Sequence, residues 1–394
     1  MTYPAIKLQS QRHKRAASGH PWIFSNEIAM DEAAKALPPG SMAEFREANG
    51  KLIGVGSFHP HTLISGRIYE RGDASIDRNW FAEKFRTALA LRQKLYGDPF
   101  YRLIHAEADG LPGLIVDRYG RHVIVQLNIA GMDRAREDII AALDDVIAPE
   151  TIILRNDSGS RTLEGLSQEV VAAKGALPGR IELRENNLRF AADLSGGQKT
   201  GWFYDQRGNR ALIAGFCRDA RMLDVYCHTG GFAINAAAAG AAHVTGVDAS
   251  ELALDCAAEA AKLNGLDAKC SWRRGEAFAA LADYAAAGEA FDVVVADPPA
   301  FIKNRKDIAS GSRGYRKLAR LAAALVTPGG FLFIASCSHH MELGNFIEQT
   351  ASGLRDAGRT GQILQTVFAA ADHPMHPHLP ESAYLKGILF RIVS

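Results

Sequence analysis

LDVYCHTGGFAINAAAAGAAHVTGVDAS, from Leu223 to Ser250, and FDVVVADPPAF, from Phe291 to Phe301, decide how this chain is read. Each string starts as an apolar strand and ends in residues that packing does not call for. Asp224 lies inside the first strand, and Thr229-Gly230-Gly231 follows where a strand must turn tightly into a helix. Glycines at such a turn let the backbone come close to a ligand. Asp248 ends the next strand, where a carboxylate can accept from two ribose hydroxyls. The G-x-G-x-x-G spacing of dinucleotide binders is missing, so the pyrophosphate argument for a nicotinamide cofactor fails. Asp297-Pro298-Pro299 ends a later strand in a rigid, non-helical loop suited to holding a flat base.

Around these strings, strands and helices alternate: Met222–Tyr226, Phe232–Ala239, His243–Val247, Leu252–Leu263, Lys269–Arg273, Glu276–Ala286 and Phe291–Ala296. That rhythm predicts a parallel sheet with helices on both faces. Ser250 is a good cap for its helix and Gly265 a good stop. The run Tyr384–Val393 reads as an antiparallel strand completing the sheet. The uncharged stretch Val225–Val247 is long enough to span a bilayer, but His228, Asn235, His243 and its glycines favour strand, turn, helix and strand.

Upstream, Met42–Glu47 and Lys51–Ser57 flank Asn49-Gly50, a hairpin signal, and Trp22, Phe24, Phe45 and Phe58 are candidates to fill a small barrel. A helical pattern covers Arg78–Leu95. Three strands come next, turned at Asp109–Gly113 and Tyr119-Gly120, with a helix over Met132–Ile147 and a strand at Ile152–Arg155. The expected divisions are 1–75, 76–190 and 191–394.

The chain has 394 residues, 47% hydrophobic and 23% charged, which suits a folded protein of two or three domains and excludes wholesale disorder. MTYPAIKLQSQRHK carries no apolar signal core. Five cysteines without a C-x-x-C pair point to reduced thiols in the cytoplasm rather than disulfides or zinc. Net charge is only +1, but cations cluster locally. Lys7, Arg12, Lys14 and Arg15 precede His20 with no acid among them. Lys303, Arg305, Lys306, Arg313, Arg316, Lys317 and Arg320 stand against Asp307 alone, directly after the base-holding loop, where they can meet phosphates. His373, His376 and His378 lack the carboxylate or cysteine company of a metal site, and no metal is expected.

A third string, Gly330–Ala335 followed by Ser336-Cys337-Ser338-His339-His340-Met341, reads as a buried strand ending on the same sheet edge as Gly230, Asp248 and Asp297. A thiol has a chemical use there. Carbon 5 of a pyrimidine is a poor nucleophile until a thiolate adds at carbon 6, whereas an exocyclic amine needs no such help.

These strings, with HPWIFS at 20–25, YRLIHAEADGLPGLIVDRYG at 101–120, KTGWFYDQRGNR at 199–210 and the tail motifs ADHP and YLKG, resemble the bacterial ribosomal RNA cytosine-5 methyltransferases that carry an N-terminal PUA domain. The resemblance spans nearly the whole chain. It implies an α/β fold: a β-barrel PUA domain, an α+β central domain and a Rossmann-like class I methyltransferase domain with a mostly parallel seven-stranded sheet. It also implies S-adenosylmethionine as cofactor, large-subunit ribosomal RNA as partner, no membrane, and a monomer or homodimer. Carried over by motif, Asp224, Tyr226, Thr229, Gly230, Gly231, Asp248, Ala249, Glu276, Ala277 and Asp297 would contact the cofactor. Lys199, Tyr204, Asp205 and Arg207 would border the cofactor or RNA entrance. Pro298, Pro299, Phe301, Lys303, Arg305 and Lys306 would meet RNA. Asp297 would hold the cytosine edge and Cys337 would be the nucleophile.

Two departures stand out: Ala300 where family members often have Lys, and the pair His339-His340. No Asp-x-Pro-Cys supplies a second cysteine, so another group must remove the carbon-5 proton, with Asp372 or His373 as candidates. Two other functions fit the same residues: amino-group methylation of guanine or adenine with a structural Cys337, and RNA binding without catalysis.

Overall fold

The structure, a computed structural model, describes residues 3–194 and 201–393, and the chain divides into two units. Among described residues, the first unit holds 3–179 together with 372–382, and the second holds 180–194, 201–371 and 383–393.

The first unit opens with five short strands: β1 (Ala5–Lys7), β2 (Trp22–Phe24), β3 (Ser41–Arg46), β4 (Leu52–Phe58) and β5 (Ile64–Arg71). They are ordered β1-β3-β4-β5-β2. The Asn49-Gly50 turn joins β3 to antiparallel β4. Beyond β1 the chain bonds to the segment after β2: Gln9 N–H reaches the Glu27 carbonyl and Ala29 N–H the Lys7 carbonyl. This closes the sheet around Ile6, Ile23, Phe45, Phe58 and Ile68. Trp22 and Phe24 differ from expectation. The strand's alternation turns Ile23 inward, so Trp22 donates its indole N–H to Glu107 at 2.7 Å and Phe24 lies under the Arg15 guanidinium. Arg15 also pairs with Glu27, which takes it out of the N-terminal basic run.

The second sheet of this unit contains β6 (Phe100–His105), β7 (Leu114–Tyr119), β8 (His122–Leu127), β9 (Thr151–Asn156) and β10 (Glu169–Lys174), antiparallel except where β8 meets β9. The helix Arg78–Leu95 starts where Asp77 accepts the Trp80 N–H. Its apolar face joins that of helix Arg136–Ile147 in one core with the sheet. The single helix expected over 132–147 is instead two, Ala130–Arg134 and Arg136–Ile147, broken at Ala135. The first piece docks at Gly131, where a Cβ would come 2.3 Å from Ser57 Cβ, and that close approach fixes its direction. Inside this unit, Arg92 is fully buried, forked onto Asp109 and bonded to the Asp372 carbonyl.

The second unit begins with the hairpin β11 (Arg180–Glu185) and β12 (Leu188–Asp193). The boundary expected between 190 and 191 falls inside this hairpin, but long-range bonds tie the hairpin to the helix Glu251–Leu263 and the Asn264 that caps it. Arg189 exchanges two hydrogen bonds with Asn264, and Arg180 meets Asp255 and Glu259. The seven-stranded sheet comprises β13 (Arg221–Val225), β14 (His243–Asp248), β15 (Cys270–Arg274), β16 (Phe291–Ala296), β17 (Val326–Ser336), β18 (Gly361–Phe368) and β19 (Lys386–Ile392). Their order is β15-β14-β13-β16-β17-β19-β18, parallel up to β17, with β19 antiparallel to both neighbours. Helices Ala277–Ala286, Ile308–Ala324 and Leu343–Asp356 bury one face of it. Helices Arg207–Ala214 and Gly231–Ala238 bury the other. The stretch Val225–Val247 is strand end, turn, helix and strand, and among described residues no helix is long and apolar enough to cross a membrane.

Candidate active site

Strand order reverses between β13 and β16, and in such sheets ligands bind outside the carboxyl ends of the strands at that point. Register places Val225 beside Val247 and Ala296, and Ala296 beside Ile334. The residues that end or succeed each strand therefore share one edge: the 226–231 turn, Asp248, Asp297 and Cys337.

The first turn is shaped by backbone that side chains rarely adopt. Tyr226 and His228 have φ of 63° and 50°, and Gly230 caps the helix at φ 79°. A Cβ on Gly230 would lie 3.0 Å from Ala257 and Trp272, and one on Gly231 would lie 2.4 Å from Arg210 Nε. The absence of side chains keeps this turn low. Asp248 locks it from the neighbouring strand. Its Oδ2 accepts the His228 N–H and its Oδ1 the Ser250 N–H, both at 2.9 Å. Each oxygen keeps a second acceptor site, so the carboxylate stands pre-oriented at the strand end with capacity for two hydroxyl donors. Ala249 is the next residue in the chain. Glu276 caps the next helix through the Ala279 N–H, with Ala277 buried behind it.

Asp224 is fully buried. Its Oδ2 accepts the Ala233 N–H at 3.0 Å, while its Oδ1 has no hydrogen-bond partner among the described residues. Burial pushes this carboxyl up to about 8, assisted by Asp297 and Asp248 and opposed by the Ala233 N–H and Arg210. An orphaned buried carboxyl oxygen beneath a glycine turn fits a ligand that brings a polar partner for it, and in the protonated acid that oxygen carries the O–H. Thr229 is buried within the same turn.

The 297–301 loop and the cysteine loop meet. Cys337 Sγ lies 3.9 Å from the Pro298 carbonyl oxygen. Ile302 N–H donates to Ser338 Oγ, and the Tyr315 hydroxyl bonds to both Ser336 and Ser338. The half-buried thiol is thus the one group between two serines that turns away from the interior. Phe301, expected at the substrate, packs against Tyr315 with ring centres 4.7 Å apart and stacks on Phe278. Tyr315 and the paired serines carry no sequence signal, since a helix-face tyrosine reads as core.

Lys303, Arg305 and Lys306 are exposed on the segment leading into helix Ile308–Ala324. Within the same basic run, Arg316 is held by Asp356 and Lys317 sits over the Phe278 ring. Asp205 is buried and accepts from the Tyr384 hydroxyl, and Arg207 reaches Glu185 and the Tyr204 ring. Lys199 lies outside the described residues. Asp372 and His373, the candidate proton acceptors, belong to the first unit. There Asp372 accepts the Arg102 N–H and His373, and the His373 ring lies against His105.

Residues 169–391 match the S-adenosylmethionine-dependent methyltransferase family, and residues 6–71 match the PUA-like domain. The chain belongs to the S-adenosylmethionine-dependent methyltransferases. Curated relatives agree along the whole length. The methyltransferase is 36% identical to ribosomal RNA large subunit methyltransferase I of Tolumonas auensis, covering 98% of this chain and 99% of the relative. It is 36% identical to the protein of that name from Klebsiella pneumoniae strain 342, covering 99% of each. A solved S-adenosylmethionine-dependent methyltransferase fold from Streptococcus mutans superposes with a TM-score of 0.83 at 19% identity, over 98% of this chain and 100% of that one. A second solved chain, SMU.776 in complex with S-adenosylhomocysteine, gives a TM-score of 0.83 at 19% identity over 99% and 100%.

Proposed function

We propose that this methyltransferase modifies carbon 5 of a cytosine in large-subunit ribosomal RNA, with Cys337 as nucleophile. The observation that carries the proposal is the approach of Cys337 Sγ to the Pro298 carbonyl, 3.9 Å. A thiol there stands at the mouth of the loop suited to a flat base. Relatives named for large-subunit ribosomal RNA, matched end to end, supply the substrate class.

S-adenosylmethionine, when bound, supplies an electrophilic methyl group. Asp248 would take the ribose hydroxyls, Glu276 and Ala277 would border the adenosine, and Asp224 with the Tyr226–Gly231 turn would take the remaining polar groups. Asp297, as a carboxylate, accepts the cytosine amino N–H, and Pro298 and Pro299 hold the ring. The Cys337 thiolate forms a bond to carbon 6, which makes carbon 5 nucleophilic. After carbon 5 is methylated, loss of its proton to a base restores the ring. The sulfur–carbon 6 bond breaks in that step and the thiolate leaves. Lys303, Arg305 and Lys306 lie where they can take flanking phosphates.

The test is a ribosomal RNA substrate carrying 5-fluorocytosine, because fluorine at carbon 5 blocks the final proton loss. A denaturant-resistant adduct on the Cys337 peptide is expected, and Cys337→Ala should abolish turnover while keeping cofactor affinity. Full turnover by Cys337→Ala, or an adduct on another cysteine, refutes the proposal. Turnover on an adenine or guanine amino group with no adduct would establish amino methylation instead.

A further inference from the structure

Lys386 is the first residue of β19 and pairs in register with Ser336, the last residue of β17. Its side chain is buried, and its Nζ donates to the Ser338 carbonyl at 2.9 Å and to the Met341 carbonyl at 2.6 Å. Those two carbonyls bracket the turn that begins at Cys337. Among the described residues no carboxylate pairs with Lys386. A buried ammonium ordinarily needs an anion beside it. The charge that acts favourably on Lys386 is that of Cys337.

We propose that Lys386 is a positioning residue for Cys337: its ammonium clamps the turn that carries the thiol and holds the sulfur as thiolate. This rests on Cys337 being the nucleophile. Two hydrogens of the ammonium fix the backbone on the far side of the turn, and the positive charge remains to stabilise an anion nearby. Burial lowers the lysine to about 8, and the cysteine charge works against that lowering. At neutral pH the ammonium therefore persists. In this role Lys386 neither gives nor takes a proton. The Cys337 proton leaves to solvent before the base arrives.

The groups around the thiol pull in different directions. Tyr315, on helix Ile308–Ala324, bonds to the serines on either side of the thiol, and its own ionisation is opposed chiefly by burial and further by the Cys337 charge. Asp297 precedes the Pro298 carbonyl that the sulfur approaches. His339 and His340 lie just past Cys337 in the chain, and the His339 ring packs on Tyr384. At neutral pH the Tyr315 hydroxyl carries no charge and does not oppose a thiolate; an ionised Asp297 would oppose it, and Lys386 acts for it.

Two variants of the full chain separate clamp from charge. Lys386→Gln keeps donors for the two carbonyls and removes the charge, whereas Lys386→Met removes both. Iodoacetamide labelling of Cys337, followed by peptide mass spectrometry across pH, reads the thiol directly. The other half-exposed thiol, Cys270, is raised to about 11 by burial and labels separately. In Lys386→Gln the Cys337 midpoint should rise by at least about one pH unit, slowing labelling near neutral pH about tenfold. Methylation kcat should fall with it, recovering as pH is raised, with KM for RNA and cofactor affinity nearly unchanged. A wild-type midpoint in a Lys386→Gln protein that binds cofactor normally overturns the proposal. Should Lys386→Met fail to fold, Lys386→Gln alone decides. Labelling does not depend on the reaction catalysed. A shifted midpoint with turnover surviving in Cys337→Ala would therefore leave the lysine effect standing and refute the nucleophile instead.

Discussion

Replacing Asp224 by Asn removes an acid that the fold forces to stay protonated, and the size of the effect comes from its surroundings. Burial raises this carboxyl from an ordinary 3.8 to about 8. In the unfolded chain it ionises near its ordinary value, so between these limits the folded state binds one more proton than the unfolded state. Stability then falls as pH rises, and the fall ends once the folded carboxyl has also ionised. At about 1.36 kcal/mol per pH unit, the wild type should lose roughly 2–3 kcal/mol between about pH 6 and about pH 9 through this residue alone. Asparagine keeps an oxygen for the Ala233 N–H and adds no titration. The difference in unfolding free energy between Asp224→Asn and wild type should therefore move by that amount in the variant's favour across the same range. Urea unfolding followed by circular dichroism at several pH values measures it. A difference that stays flat within about 0.5 kcal/mol would refute the account of Asp224 as a buried neutral acid.

Three further outcomes can be checked. Asp248→Ala should weaken S-adenosylmethionine binding by roughly 2–3 kcal/mol, about 30–150-fold by calorimetry, because it removes both the proposed ribose acceptors and the lock on the His228 and Ser250 amides. In filter-binding titrations across salt, Arg305→Ala or Lys306→Ala should each lower the log–log slope for RNA by about 0.7–0.9, and an unchanged slope would return both to a solvated face. Arg92→Met should destabilise the protein by roughly 3–5 kcal/mol, since Asp109 would stay buried without its partner; a loss under about 1 kcal/mol in thermal or urea unfolding would contradict this.

Most of the sheet was legible because its signals are local. Apolar strands, the Thr229-Gly230-Gly231 turn, the Ser250 cap and acids at strand ends each announce themselves within a few residues. Cys337 was legible by position, as the residue just past a buried strand. What escaped depends on partners far along the chain. Lys386 sits in a strand-starting motif, and only the pairing of β19 with β17 brings it beneath the cysteine turn. Trp22 and Phe24 look like core by composition, and the pleat sends Ile23 inward instead. Arg92 lies in an amphipathic helix pattern that gives no hint of a buried cation, because Asp109 and Asp372 arrive from elsewhere. The short helix before Ala135 seats Gly131 against Ser57, a close approach that periodicity cannot show.

The bond from the Arg102 amide to the Asp372 carboxylate joins residues 270 positions apart inside the first unit. A ribosome adding about 5–20 residues per second needs roughly 15–55 seconds to travel that far. Through that interval the early-made unit has emerged without the strip 372–382 that completes it. Arg92 meanwhile lacks the Asp372 carbonyl, and His105 lacks the ring of His373. Nascent chains halted before codon 372 should therefore expose the 100–119 region to protease, and chains released after codon 382 should protect it. The order of manufacture makes the tail a late seal on the part of the molecule that was built first.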